Sequence, residues 1–268
     1  MKIALCLYGY FNNKGDSNAG MKGYNYIKDN ILKYPNVDVF IHSWDLENED
    51  KIRGLYNPKF AVFDKQADFE ALAKKRGLSQ SDIDKDFNRS ETIFKDCTIQ
   101  SSLSFYTSRG ASIIFKYTHE LEYDFEYDVV VTARFDLGHR SGLHRGYNVS
   151  LMNFMPEADM QYIYSSMWAQ LNAGYADQWF YSNSKNMNIL IMMQEHAMHD
   201  FKIGSEYHKA LINGWPDSNA NDEFSNEFFQ PTKTTNLIKY PTWQIINNHL
   251  YHKWFFMRVG LYEKSKFV

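Results

Sequence analysis

The sequence predicts an α/β protein whose first half opens a parallel, doubly wound sheet. Apolar runs at residues 2–10, at Val37 to Trp44 (VDVFIHSW) and at Tyr127 to Asp136 (YDVVVTARFD) have the continuity of strands buried on both faces. A short helical stretch, Tyr24 to Leu32, separates the first two runs, so the order is strand, helix, strand. Before the third run, Leu103, Tyr106, Ile113, Ile114, Tyr117 and Leu121 recur at helical spacing within Ser101 to Tyr123, which predicts a helix packed by one face on the sheet.

The first strand breaks at Gly9 into the loop Asn12 to Gly20, and Asn57 to Phe63 reads as a third strand bent at Pro58. Residues 64 to 97 are charged and broken by Gly77, as expected of helical excursions on the outside. After Asp136 comes a basic, glycine-containing loop, His139 to Gly146, then two further strands at Gln161 to Ser166 and Asp177 to Ser182. Ser184 can cap a helix through Met187, Leu190, Ile191, Met198 and Phe201, ended by Gly204. Residues 213 to 242 are rich in Asn, Pro, Ser and Thr, a long loop that could act as a lid. The aromatic tail from Trp243 to Val259 is a helix or strand that packs back on the domain or docks on a membrane.

Composition narrows the function classes. A length of 268 residues suits one large α/β domain or two small lobes sharing a core, and a net charge of −3 creates no field that would draw nucleic acid or an anionic membrane. Two cysteines, Cys6 and Cys97, make neither a disulfide framework nor a metal knuckle, which fits a reduced, cytoplasmic compartment. MKIALCLYGYF at the amino terminus reads as a strand rather than a signal peptide, and no window approaches a transmembrane segment. Phe, Tyr and Trp make up 17% of the chain, a surplus that serves either core packing or pockets for flat or sugar-like ligands.

The chemistry concentrates after the third apolar run. A carboxylate at the carboxyl end of a buried strand lies where α/β sheets place ligands, so Asp136 can hold a divalent cation that neutralises nucleotide phosphates. Alternatively, Asp136 caps the following turn and Arg134 pairs with a surface acid. His42 and Trp44 end the second run beside the same edge, as base or ribose contacts or as a packed core pair. Glu195, His196 and His199 do not form HExxH and read as an exposed helix face. His249 and His252 are spaced like ligands, but no second cue supports them. GxGxxG, a Walker loop, GxSxG and CxxC are absent, which removes support for dehydrogenase, ATPase, serine hydrolase and zinc-finger readings.

Four segments in order, MKIALCLYGYF, DVFIHSW at Asp38 to Trp44, YDVVVTARFDL at Tyr127 to Leu137, and ADQWFYSNSKNM at Ala176 to Met187, together resemble GT-A-type, nucleotide-sugar-dependent glycosyltransferases of surface-polysaccharide synthesis from bacteria and large algal viruses. The likeness spans the first two thirds of the chain, with a faint echo at Ser225 to Gln230. It implies a GT-A-like, Rossmann-type mixed sheet flanked by helices, with residues 1–137 as the nucleotide-sugar half and 138–268 as a smaller acceptor-side half. It also implies a cytoplasmic location, in the host cytoplasm for a viral member.

The resemblance maps the donor nucleotide onto Gly9 and Tyr10, with Lys14 supplying a positive charge where family members carry Gln and Arg. Arg109 and Ser112 follow on the long helix, with Lys116 on a solvated face; a guanidinium fork suits a diphosphate. Arg134, Phe135 and Asp136 form an RxD variant of the family's DxD motif, with Asp136 as the ligand of Mn²⁺ or Mg²⁺ and Arg134 as a phosphate or structural partner. Asp177 is the expected base for the acceptor hydroxyl, with Asp217, Asp222 and Glu223 as runners-up; it could instead bond the donor sugar or cap a turn, and retention stays open beside inversion. The implied partners are a UDP-sugar donor and a glycan acceptor. A glycan-binding module without catalysis is the alternative from another class, and a nucleotidyltransferase would want a better glycine-rich loop than GYFNNKGDS.

Overall fold

The structure, a computed structural model, describes residues 1–12, 16–92, 95–139, 148–219 and 237–268. β1 (Ile3–Gly9) lies between β2 (Val37–Ser43) and β4 (Val129–Arg134), parallel to both, and β3 (Phe60–Phe63) continues the parallel set beyond β2. β6 (Trp179–Ser182) runs antiparallel to β4 and to β5 (Ile163–Ser165), and β7 (Ser265–Phe267) pairs parallel with β5. The order β3-β2-β1-β4-β6-β5-β7 is therefore a mixed seven-stranded sheet shared by both halves of the chain.

Strand alternation sorts two cores. Ala4, Cys6, Phe40 and Val130 point to one face with Leu103, Tyr106 and Ile113 of α5 (Ile99–Tyr123). Ile3, Leu5, Leu7, Val39, Ile41 and Val131 point to the other, against Ile27 of α1 (Ala19–Ile27), Ile31 of the π-helical turn that extends it, and Ile52 of α2 (Glu49–Tyr56). Short helices α3 (Phe69–Lys75) and α4 (Gln80–Ile83) occupy the charged excursion before α5. α5 starts at a reciprocal capping box between Thr98 and Ser101 and stops at Asp124 in the left-handed region, φ 50°.

Three helical expectations need correction. Ile114, Tyr117 and Leu121 of α5 are 43%, 41% and 65% exposed, so they do not meet the sheet. The buried face of α5 instead carries Ser108, Arg109, Ser112, Lys116 and Glu120, and Lys116 is fully buried rather than solvated. Lys116 Nζ donates to Glu120 Oε2 at 2.8 Å, Ser184 Oγ at 2.5 Å and Asn188 Oδ1 at 2.7 Å. Ser184 is thus not a cap: Asn183 caps α7 (Ser184–Asn188), a 3₁₀ turn at Ile189–Met192 interrupts the helix, and α8 (Met193–Asp200) completes it. A further helix, α9 (Glu206–Asn213), starts at the Ser205 cap, inside a stretch for which no element is expected from the sequence. The proposed lid at 213 to 242 lies largely outside the described residues, as do Lys14, Asp222 and Glu223.

The tail forms α10 (Asn248–Val259), capped by Asn247 and ended at Gly260 with φ 74°. Its Tyr251 packs on Tyr106, Phe201 and Tyr207, and Trp215 on Tyr207 and Tyr240, so much of the aromatic surplus is core. α6 (Gln170–Ala173) lies just before β6 and touches α10. Among the described residues, no helix is long and apolar enough to cross a membrane.

Gly23 sets how closely α1 lies against the turn after β4: a Cβ there would fall 1.8 Å from the Phe135 carbonyl oxygen. Gly23→Ala should lower stability by about 1–3 kcal/mol through overpacking. Gly54→Ala in α2, where a Cβ meets nothing within 4 Å, should be neutral or stabilise by about 0.5–1 kcal/mol. Urea unfolding of both variants checks this, and equal midpoints would contradict it.

Candidate functional site

Register places a row of side chains across the carboxyl edge of the parallel strands. Tyr8 pairs with His42 on one side and Arg134 on the other. All three fall on the α5 face, in step with Cys6, Phe40 and Thr132. β1 is also where successive crossovers change direction, towards β2 on one side and β4 on the other; open α/β sheets bind ligands outside such a point.

α5 runs antiparallel to β1 and lays its first turns over this row. Ser108 Oγ accepts from Gly9 N at 2.9 Å and lies 2.9 Å from His42 Nδ1, while Tyr8 meets Phe105 edge-on at 5.2 Å. Gly9 itself takes φ 93°, and its carbonyl accepts from Ser43 Oγ and Trp44 N. A Cβ at Gly9 would meet open space, so the turn needs glycine for its backbone conformation rather than for contact. Tyr10, 48% exposed, reaches Gln66 through its hydroxyl. Asp45, which sequence reasoning passed over, ties the same loop by accepting from Phe11 N at 3.2 Å.

His42 and Trp44 are a packed pair, with ring centroids 4.5 Å apart and both rings buried. Burial pushes the His42 imidazole below its ordinary pKa despite Asp64, whose carboxylate is 3.6 Å from Nε2. Ser112, fully buried one turn deeper along α5, donates to the Arg109 carbonyl and does not reach the carboxyl edge.

Arg109 is fully buried beneath Tyr8. Its Nη1 lies 2.6 Å from His252 Nε2 and its Nη2 2.6 Å from Met193 Sδ. His252 Nδ1 faces the Asn248 carbonyl at 2.6 Å. A carbonyl only accepts, so Nδ1 carries the proton and Nε2 is the acceptor for Arg109. Burial and the adjacent guanidinium push the His252 pKa well down, which keeps that ring neutral.

Arg134 holds Asp136 in a two-pronged pair, Nε to Oδ1 at 2.8 Å and Nη2 to Oδ2 at 2.7 Å. The Asp136 carboxylate is buried, whereas the Arg134 side chain is 29% exposed. The partner of Arg134 is therefore Asp136, two residues on in its own motif, not a surface acid. The loops after β1 and β4 meet where His139 Nε2 lies 3.1 Å from Asp16 Oδ2.

Asp177 comes to the same place from the second half of the chain. Its carbonyl accepts from the Tyr8 hydroxyl at 3.1 Å, and Arg134 N donates to the Gln178 carbonyl next door. Gly174, at φ 81°, allows this approach, because a Cβ would fall 2.1 Å from the His249 carbonyl oxygen. Burial alone would raise the Asp177 pKa, but His249 and the Arg134 and Arg109 guanidiniums outweigh it and hold the carboxyl below its ordinary value. His249 Nδ1 is 2.9 Å from the Tyr175 carbonyl and 3.8 Å from Asp177 Oδ1. In the neutral ring that bond leaves Nε2 as an acceptor, beside Trp168 at 4.7 Å. Proximity to Asp177 is the second cue that the spacing of His249 and His252 lacked in sequence.

A divalent cation fits this donor set only in part. Asp136 offers a hard carboxylate, but both its oxygens accept from Arg134, and the described residues include no group of three His, Cys, Asp or Glu that could hold a metal ion. These residues do not build a resident metal centre by themselves. Arg109, Arg134, Asp136 and Asp177 are brought together; Gly9 and Tyr10 border them, and Ser112 stands apart.

The depressed Asp177 pKa has a defined sign for stability. Its ionised form stabilises the fold above the unfolded value, about pH 3.9, and that contribution is lost as pH falls through the lower folded value. The difference in urea midpoint between wild type and Asp177→Asn should therefore be constant above about pH 5 and shrink below about pH 4. A difference independent of pH would contradict the assignment. Comparison with protein-family models, with curated proteins and with solved structures finds no match, so the functional reading of this edge comes from its own residues.

Proposed function

We propose that the chain is a GT-A-like glycosyltransferase that moves a sugar from a nucleoside diphosphate, a UDP-sugar, to a hydroxyl of a glycan acceptor. The observation that carries this reading is the meeting of Arg109, Arg134, Asp136 and Asp177 at the point where the strand order reverses around β1. The resemblance of the four sequence segments supports it, because those segments supply β1, β2, β4 and β6.

A departing nucleoside diphosphate needs positive charge placed in advance. Arg134 is partly exposed at the strand edge, and its fork matches two phosphate oxygens as well as it matches Asp136. Arg109 adds a second fixed cation beneath Tyr8. Asp136 is the residue that would help hold Mn²⁺ or Mg²⁺ alongside the diphosphate, and such a cation would supply Lewis-acid neutralisation of the leaving group. Asp177, kept ionised by its cationic neighbours, is placed to take the acceptor proton, with the exposed edge of His249 beside it. Trp168 and His249 mark the acceptor side, while the Tyr10 loop marks the nucleotide side.

Calorimetric titration with UDP, GDP and CDP, with and without Mn²⁺, tests the reading. One nucleotide should bind, and Arg134→Lys should weaken it about tenfold or more, because an ammonium cannot reproduce the two-pronged contact. Asp177→Asn should retain nucleotide binding and lose transfer. Folded protein that binds none of the three nucleotides would overturn the transferase reading in favour of a glycan-binding module.

A further inference from the structure

A groove of about 1070 Å³ lies at the opposite, amino edge of the parallel strands, between the carboxyl-terminal half of α5 and the start of β1, β2 and β3. Two adjacent stripes of α5 form one wall, Ile114, Thr118 and Glu122 beside Phe115, His119 and Tyr123. Seven residues of β1, at about 3.3 Å each, separate this edge from Arg134 and Asp177, so the two regions are about 20 Å apart.

We infer that this groove binds a neutral oligosaccharide. Three features of its lining lead there. First, it presents large aromatic surfaces to solvent: Phe60 is 51% exposed and Tyr123 61% exposed, with Phe115 behind Phe60 at 4.7 Å. A pyranose ring has a C–H face that packs on such rings and an equator of hydroxyls that needs polar partners.

Second, the polar partners are already aligned. The Tyr127 hydroxyl lies 2.7 Å from Asp38 Oδ2 and 3.2 Å from His119 Nδ1. Its single proton goes to the carboxylate, which only accepts, so His119 Nδ1 is the donor to the phenolic oxygen. In the neutral ring this leaves His119 Nε2 as an acceptor of fixed orientation, and Asp38 keeps its other oxygen towards Lys59 at 3.5 Å. Acceptors held among ring faces match sugar hydroxyls.

Third, the side-chain charges lining the groove balance in number. Lys59 faces Asp38, and the Lys2 ammonium sits over the Phe125 ring at 3.8 Å. Glu122 and Asp38 balance these two lysines, which leaves no net field for a phosphate or a polyanion. A protein partner would favour a contact centre depleted of charge, whereas Asp38 and His119 lie among these rings. The volume is at the upper end of small-ligand sites, about 300–1,000 Å³, which suits several linked sugars better than one. The inference does not depend on the transferase reading.

Saturation-transfer NMR with maltohexaose, cellohexaose, xylohexaose and mannohexaose, each as a separate probe, tests the assignment on wild type and on Tyr123→Ala and Phe60→Ala. Both side chains are more than half exposed, so both variants should fold. At least one saccharide should bind, each variant should weaken it by about tenfold, and excess UDP should leave the signal in place. Absence of binding by all four probes, or equal binding by wild type and both variants, would overturn the assignment. Displacement by UDP would place the saccharide at the carboxyl edge and overturn it too. So would sedimentation of wild type as a dimer that Tyr123→Ala dissociates, which would make the groove a self-association surface.

Discussion

The buried ammonium of Lys116 fixes the position of α5, and α5 borders both edges of the sheet at which ligands are assigned. Its three acceptors come from α5 itself and from α7, so the helix is tied to the antiparallel part of the sheet as well as to the parallel part. Glu120 completes the junction by accepting from Tyr127 N and from the Ser184 hydroxyl. Leaving one member of a buried ion pair without the other costs roughly 3–5 kcal/mol, because the remaining charge has no water to turn to. With α5 held there, Ser108 and Arg109 fall over the carboxyl edge and His119 and Tyr123 over the amino edge.

The electrostatics of the carboxyl edge follow from this placement. Arg109 is buried among aromatic rings and carries its charge against a neutral His252, a thioether and, further off, the Asp177 carboxylate. Burial pushes its pKa down while Tyr8, Tyr106 and Asp177 push it up, and the guanidinium stays protonated. Arg134 is pinned by its own Asp136, and this arrangement holds the fork flat at the strand end before any anion arrives. Two fixed cations and two carboxylates meet at this sheet switch point, with Asp136 paired to Arg134 and Asp177 standing apart from that pair.

Much of the frame was legible in the sequence, since VDVFIHSW and YDVVVTARFD are largely apolar runs, and strand, helix and strand in order open a parallel sheet. Asp136 and Arg134 could be placed by their position after β4, and Asp177 by its position before β6. The face of α5 was not legible, because its inward side holds Ser108, Arg109, Lys116 and Glu120, and hydropathy assigns such residues to solvent. What offsets their burial, Ser184, Asn188, His252 and the Tyr127 amide, lies up to 143 residues away in the chain. The same displacement put Ile114, Tyr117 and Leu121 outside. His249 and His252 were visible as a spacing, but only the approach of Gly174 to α10 brings Asp177 beside them. The antiparallel entry of β6 likewise depends on contacts of distant segments, not on the residues of the strand.

The central claim is that the carboxyl edge around β1 is a nucleoside diphosphate site, and a crystal structure of the protein grown with UDP and Mn²⁺ tests it most directly. The account predicts the diphosphate at the ends of β1 and β4, within hydrogen-bonding distance of the Arg134 guanidinium and on the same side of the sheet as Tyr8. A nucleotide bound away from Arg134, or at the amino edge among Phe60, His119 and Tyr123, would contradict it.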